Sequence, residues 1–340
     1  MPPSSKPSRA TGRVTLAHVA ERAGVSPITV SRALRGVASV DPALAARVQE
    51  AVAALGYVPD SAARALASRT SAHVTVLVPL LSNALFIELV DAAQAVFHAA
   101  GFQMLMGVTH YDPAEEEQLL REQLAHRPAG LLLTGFGQTA ATQRLVAGGV
   151  PVVHVMETRR RAGVHSVGFS QTAAAAALTR HLIQRGRRRI AFVAVQMDAR
   201  TLQRRRGWQA ALHAAGLDAA GLSFEDPRAS SMALGAELLA RVLAERPDVD
   251  SIFFCNDDLA QGALLEALRR GIAVPGRLAV AGFNDLPGSD QMVPPLTTVR
   301  TPRRDIGTQA AQRLLALIRG DDVHPAALDV GYTLVVRDSA

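Results

Sequence analysis

Val14-Thr-Leu-Ala-His-Val-Ala-Glu-Arg-Ala-Gly-Val-Ser-Pro-Ile-Thr-Val-Ser-Arg32 is the stretch whose reading decides the fold. Thr15 is placed to cap a first helix whose apolar side carries Leu16, Val19, Ala20 and Ala23, and Gly24 follows where a tight turn needs a positive φ. Ser26-Pro27, an N-cap followed by proline at the first helical position, starts a second helix. Asp41-Pro42 repeats that chemistry for a third, which Gly56 ends. On the second helix Val30, Ala33 and Leu34 point inward, while Pro27, Ile28, Ser31, Arg32 and Arg35 share the opposite side. That side suits a major groove: Arg32 has the fork that bonds guanine edges or phosphates, Ser31 and Thr29 reach phosphate, and Ile28 meets a thymine methyl. The same residues also describe an ordinary solvated helix face, and three-helix patterns of this kind occur in many folds.

Charge separates the N-terminus from the rest. The chain of 340 residues carries a net +6, and residues 1–70 hold nine Lys/Arg against four Asp/Glu, whereas residues 71–340 hold 27 against 26. A small basic head of that kind reads as a polyanion-binding module, because each neutralised phosphate releases condensed counterions. The one cysteine, Cys255, excludes an intramolecular disulfide. No Cys or His cluster has ligand spacing, so neither a metal nor a cofactor is expected. Apolar runs such as Val74 to Leu81 fall far short of the ~20 residues that span a bilayer. With a polar N-terminus in place of a signal segment, a cytoplasmic protein with no membrane partner is expected.

The quoted stretch, followed by Leu55-Gly-Tyr-Val-Pro59, resembles the head of the lactose/galactose-repressor family of transcription regulators. The resemblance implies that Pro27, Ile28 and Arg32 read bases and that Ser26, Thr29 and Ser31 hold the backbone. Thr15 and Arg35 complete the implied DNA-contact set. Pro27 and Ile28 carry no side-chain hydrogen-bonding group, so the operator preferred by better-known relatives does not transfer.

Asp60-Ser-Ala-Ala-Arg-Ala-Leu-Ala67 favours helix but covers only about two turns, and so short a helix is marginal unless docked. The family resemblance implies a hinge helix that pairs with its dimer mate in the minor groove, with Leu66 wedged between base pairs and Ala63 and Arg64 beside it. A plain linker carrying an incidental leucine is the alternative.

From His73 onward, strand-like apolar runs alternate with helical stretches: Val74 to Pro79, Gln103 to Val108, Gly130 to Thr134, Val152 to Val155, Ile190 to Val195, Ser251 to Phe254 and Leu278 to Ala281. Such alternation predicts βαβ units, hence an α/β body with parallel sheets in two similar lobes. Ligands in this architecture sit at the carboxyl ends of the strands, in the crevice between lobes. The domain plan is a disordered leader over 1–13, a three-helix helix-turn-helix head over 14–58 and a hinge helix and linker over 59–71. An effector-binding and dimerisation body covers 72–340, its lobes comprising about 73–171 with 301–329 and 172–299 with 330–340.

The resemblance continues through Asn256-Asp-Asp-Leu-Ala, Val280-Ala-Gly-Phe-Asn-Asp, Leu296-Thr-Thr-Val and Leu334-Val-Val-Arg-Asp338, and implies a periplasmic-binding-protein-like body. It assigns effector contacts to Phe86, Arg204, Asn256 and Asn284, with Asp198 and Arg200 at the same strand ends. Each has a mundane counterpart: Asn256-Asp257 as a helix cap, Arg200 as a surface charge, Phe86 as core. Asn284 stands where the family commonly has an aspartate, which removes a negative charge from a cleft that keeps Arg200 and Arg204 and favours an anionic ligand. Together with Asp198-Ala-Arg-Thr201 and Val164 to Phe169, this is most similar to the gluconate-repressor branch. The implied partners are a double-stranded operator, a sugar acid such as gluconate, and a second copy of the chain in a homodimer.

Two rival readings remain. Gly135-Phe136-Gly137 follows a strand, and Glu157 lies 22 residues after Gly135, the layout of a dinucleotide fingerprint in an NAD-dependent oxidoreductase. It occupies the third βαβ unit instead of the first, and such an enzyme has no use for the head. A transporter's solute-binding protein suits the two-lobed body but is opposed by the polar N-terminus.

Overall fold

The computed structural model describes residues 14–34, 40–58, 71–81 and 84–340. Packing separates the chain into an N-terminal and a C-terminal unit that divide after Arg69. The N-terminal unit has three helices: α1 (Leu16–Ala23), α2 (Pro27–Leu34) and α3 (Pro42–Leu55). Their ends are set by local chemistry. The Thr15 backbone N–H donates to His18 Nδ1 at 3.1 Å, Ser26 Oγ accepts from the Thr29 N–H at 3.2 Å, and Asp41 Oδ1 accepts from the Ala43 N–H at 2.8 Å. Gly24 and Gly56 close α1 and α3 at φ +63° and +59°, values that an L side chain rarely adopts. Arg47 Nη2 donates to the Ala23 carbonyl at 2.6 Å, tying α3 to the end of α1. Val19, Ala20, Ala23, Val30, Ala33, Val48, Ala51 and Tyr57 form the core that sets the angle of α2.

The C-terminal unit alternates strands and helices. Its elements are β1 (His73–Val78), α4 (Ala84–Ala99), β2 (Gln103–Val108), α5 (Pro113–Ala125), β3 (Gly130–Thr134), α6 (Ala140–Val146), β4 (Val152–Met156), β5 (His165–Gly168), α7 (Gln171–Gln184), β6 (Ile190–Val195) and α8 (Ala199–Ala214). They continue as β7 (Ser223–Asp226), α9 (Met232–Glu245), β8 (Ser251–Phe254), α10 (Asp257–Arg269), β9 (Ala279–Ala281), β10 (Thr298–Arg300), α11 (Arg303–Arg319), β11 (Ala327–Asp329) and β12 (Thr333–Val335). One six-stranded sheet has the order β11-β5-β4-β3-β1-β2 and a second, four-stranded sheet the order β7-β6-β8-β9. Every pairing within both is parallel. Strands covered by helices on both faces read as continuous apolar runs, and all six residues of β6 are buried accordingly.

The chain passes between the two sheets near 169–170, 301–302 and 330–332, because α7 packs on α8 whereas α11 returns to α4 and β11 returns to the first sheet. Antiparallel pairing of β10 with β12 joins the latter two passages. The apolar runs read from sequence are all strands, with three boundary shifts: β1 runs from His73 to Val78 and leaves out Pro79, β4 extends to Met156, and Leu278 precedes β9. Five short strands lay outside that reading: β5, β7, β10, β11 and β12.

Helix pairs approach closely where glycine removes the side chain. A Cβ on Gly262 of α10 would overlap the Met232 carbonyl oxygen of α9, and one on Gly235 would overlap the Leu259 backbone in return. Gly262→Ala is therefore expected to destabilise the body by about 1–3 kcal/mol, the usual cost of overpacking. A urea midpoint equal to wild type would show that the two helices separate freely.

Candidate functional site

On the head, α2 presents Pro27, Ile28 and Arg32 to solvent, with Ile28 66% exposed. Thr29 and Ser31 are half-buried beside them, and the Ser26 and Thr29 hydroxyls lie 2.9 Å apart. Exposure of a large apolar side chain beside an arginine on one helix face suits a surface that meets a partner. Thr15 sits half-buried at the start of α1. Arg35, Ala63, Arg64 and Leu66 lie outside the described residues.

The body gathers all six remaining candidate residues, in two linked groups. Asp198 caps α8, its Oδ1 accepting from the Thr201 N–H at 2.7 Å, while its Oδ2 accepts from Arg200 Nη2 at 2.7 Å. The Arg200 guanidinium lies 5.4 Å from the centre of the Phe86 ring and donates to the Tyr111 hydroxyl at 3.3 Å. Burial alone would raise the Asp198 pKa, yet Arg200, the Thr201 N–H and Arg204 outweigh it and bring it to about 2. Arg200 is a buried cation with an internal counter-ion. The sequence expectation of two cations facing a ligand is thereby corrected, because Asp198, two residues away, neutralises one of them.

One turn along α8, Arg204 is buried, and its nitrogens reach only neutral oxygens. Nε donates to Gln171 Oε1 at 2.9 Å, and Nη1 donates to the Cys255 carbonyl at 2.5 Å and to Asn256 Oδ1 at 3.0 Å. The guanidinium also stacks on Phe283, 3.9 Å from the ring centre. Desolvation pulls its pKa down, with Cys255 and Asp198 acting the other way. Asn284 Nδ2 donates to the same Asn256 Oδ1 at 3.2 Å. Asn256 thus makes no side-chain cap bond to α10, contrary to its mundane reading.

Beside Arg200 lies a cavity of about 230 Å³ lined by Tyr111, Glu116, Glu157 and Asp198 among others. Burial raises the pKa of Glu157 against the pull of Arg200, and raises that of Glu116 against its hydrogen bond from Gln138. Glu157 Oε1 and Arg200 Nη1 are both buried without a hydrogen-bond partner. Tyr111, Glu157 and Gln171 were not among the effector-contact residues read from sequence. The strand-end rule points to all three, since they follow β2, β4 and β5.

A second buried network holds the passage between sheets. Asp257 accepts from Thr298 Oγ1 at 2.6 Å, from the Leu286 N–H at 2.6 Å and from Ser289 Oγ at 3.2 Å. Arg303 Nη1 donates to the Asn284 carbonyl at 2.6 Å while Nη2 reaches Glu88 of α4 at 2.9 Å. Among the described residues no group of three or more His, Cys, Asp or Glu is placed to hold a metal, and no helix is long and apolar enough to cross a membrane.

Residues 15–60 match the family model described as bacterial regulatory proteins, lacI family, and residues 179–340 match a periplasmic binding protein-like domain. The chain is 55% identical over 337 residues to the HTH-type transcriptional regulator GntR of Pseudomonas aeruginosa, covering 99% of this chain and 98% of that one. It belongs to the lacI family of bacterial regulators. Among solved structures, the transcription regulator GntR from Chromobacterium violaceum matches at 50% identity and a TM-score of 0.77, over 78% of this chain and 98% of that one. The lac repressor dimer bound to operator and the anti-inducer ONPF matches at 25% identity and a TM-score of 0.84, over 96% of this chain and 99% of that one.

This lacI-family chain is accordingly a DNA-binding transcription regulator and not an enzyme. Its family binds DNA operators and sugar effectors. The dinucleotide reading of Gly135-Phe136-Gly137 is not favoured, since the similar proteins over nearly the whole chain are transcription regulators.

Burial raises the Asp257 pKa to about 6, opposed by bonds from Thr298, Leu286 and Ser289. A folded value above the unfolded 3.8 means that its contribution to stability is full below about pH 4 and is lost as pH rises through 6. The stability difference between wild type and Asp257→Ala is expected to shrink by about 1 kcal/mol from pH 5 to pH 7. A difference in urea midpoints that does not vary with pH would place this titration elsewhere.

Proposed function

We propose that this regulator is a homodimeric repressor of sugar-acid utilisation genes, released from its operator when gluconate or a closely related sugar acid enters the cleft between the two sheets. One observation carries the reading. Arg204 is a buried guanidinium whose partners, Gln171, Cys255 and Asn256, are all neutral. A ligand carboxylate supplies the missing counter-charge with a charge-assisted pair. Asn284, neutral and bonded to Asn256, leaves that end of the cleft without an opposing carboxylate.

The edge of the first sheet supports dimerisation. Leu105 and Met106 on edge strand β2 are 38% and 41% exposed, and Ile87 on α4 is 52% exposed. Apolar side chains on an open edge favour pairing with a second copy, and a two-fold pair matches a palindromic operator. In this reading the two lobes are 73–171 with 301–329 and 172–299 with 330–340. Their relative rotation decides whether the paired 60–67 segments fold in the minor groove, with Leu66 as the wedge and Arg35, Ala63 and Arg64 beside the DNA. Ligand preference for one lobe arrangement is all that coupling requires. The protein then acts on the cytoplasmic nucleoid.

Calorimetry of the purified protein is expected to show binding of gluconate and no comparable heat with glucose. Arg204→Ala should weaken gluconate at least tenfold, about 1.4 kcal/mol, while operator affinity in a mobility-shift assay stays at the wild-type level. Binding of glucose in preference to gluconate, or an unchanged dose-response in the variant, overturns the sugar-acid assignment.

Leu66→Ala tests the wedge separately. Operator affinity is expected to fall while gluconate binding holds, and equal affinity for operator would remove the wedge.

A further inference from the structure

Parallel neighbours in a covered sheet are ordinarily joined through a helix that shields one face. β4 and β5 depart from this, since residues 157–164 run back from the end of one strand to the start of the other with no helix. The consequence lies on β4 itself. Val153 and Val155 are buried on one face, whereas Val152 and His154 on the other are only half-buried. Between that uncovered face, α6 and the returning strap is a groove of about 500 Å³, within the ~300–1,000 Å³ range of small-molecule sites.

Its chemistry is one-sided. Val146 and Val152 contribute aliphatic walls, and Phe136 stacks on His154 with ring centres 4.3 Å apart. The Arg159 guanidinium lies 4.4 Å from the Phe136 ring centre, and Arg161 also lines the groove, both exposed. Among the described residues no Asp or Glu lines it. His154 Nδ1 lies 2.8 Å from the Gly135 carbonyl, which can only accept, so Nδ1 is the donor and Nε2 of the neutral ring is an acceptor. Burial, with Arg159 adding repulsion, holds the ring's pKa below its ordinary value against that backbone bond, so the neutral form persists at neutral pH.

We propose that this groove is a second small-molecule site, for an organic monocarboxylate with an apolar body, whose carboxylate meets Arg159 and Arg161 and whose body lies along Val146, Val152 and the Phe136–His154 stack. Its ligand differs from the sugar acid proposed for the cleft in carrying an apolar body in place of a chain of hydroxyls. Phe136 lines both cavities, so the two sites share one wall.

The test is calorimetry of the full-length protein with 4-phenylbutyrate, with and without saturating gluconate, beside its neutral analogue 4-phenylbutyramide. One saturable 4-phenylbutyrate per chain is expected under both conditions, with the amide at least tenfold weaker. Arg161→Glu should weaken the acid at least fivefold, and Ala147→Trp, which fills the groove, should abolish its binding, while both variants bind gluconate as wild type does. Undiminished binding in Ala147→Trp, equal affinity for acid and amide, or no saturation at millimolar concentrations overturns the proposal. So does a changed sedimentation mass for Ala147→Trp, which would make the groove a contact between copies. Loss of gluconate binding in wild type, with 4-phenylbutyrate still bound, would sink the sugar-acid reading and leave this one standing.

Discussion

A guanidinium taken out of water and held only by neutral oxygens is the constraint around which the body is arranged. An ion buried without a counter-ion costs several kcal/mol even after relaxation. Arg204 is tolerated because Gln171, the Cys255 carbonyl and Asn256 converge on it from the ends of different strands. Strand direction sets part of that convergence: β6 and β8 are parallel, so the loops that follow them leave the second sheet on one side, and Gln171 reaches Arg204 from the segment after β5 of the first sheet. The helices yield something in return. Asn256 gives its side chain to Arg204 and Asn284 and makes no cap bond to α10, whose first turn carries Asp257 and Asp258 against the helix dipole instead.

The same strand ends hold most of the backbone strain. His110, Tyr111, Met156, Gln196, Met197, Asn284 and Asp285 all have positive φ, and they follow or end β2, β4, β6 and β9. Such conformations persist only where the surroundings over-determine them. At Asn284 and Asp285 the surroundings are visible, for Arg303 grips both carbonyls while reaching Glu88, and Asp285 pairs with Arg300 at 2.7 Å and Arg337 at 2.8 Å. Asp257 holds the following loop through Leu286, Ser289 and Thr298. The passage from β9 to α11 is therefore fixed to α4 on one side and to α10 on the other, and a change in the relation of the two sheets has to be taken up there.

The head was legible because its stop and start signals are local: Ser26-Pro27, Asp41-Pro42, Gly24 and Gly56 act within a few residues, and the helices begin and end beside them. The long strands were legible from unbroken apolar runs. β5 and β11 were not, since each is three or four residues long and gains its partner from across the chain, Ala327 to Asp329 lying beside Ser166 to Gly168. The cleft was legible as a place and less so as a charge. Asp198 was read as an effector contact, yet one of its oxygens caps α8 and the other is bound to Arg200. Sequence spacing is silent on both bonds, because only side-chain direction at the start of α8 decides them.

The polarity that results favours an occupant with two unlike ends. In the proposed reading Arg204 is the cation at one end, held among neutral amides. Around Glu157 it offers a buried carboxyl oxygen without a partner, close to an Arg200 nitrogen that also lacks one. These two atoms have opposite needs and do not satisfy each other. In the proposed reading a ligand hydroxyl would serve both, donating to Glu157 Oε1 and accepting from Arg200 Nη1. A simple carboxylate would serve Arg204 and leave the other pair unmet, and a neutral polyol would do the reverse. The proposed sugar acid joins a carboxylate to a chain of hydroxyls and so answers both demands in one molecule.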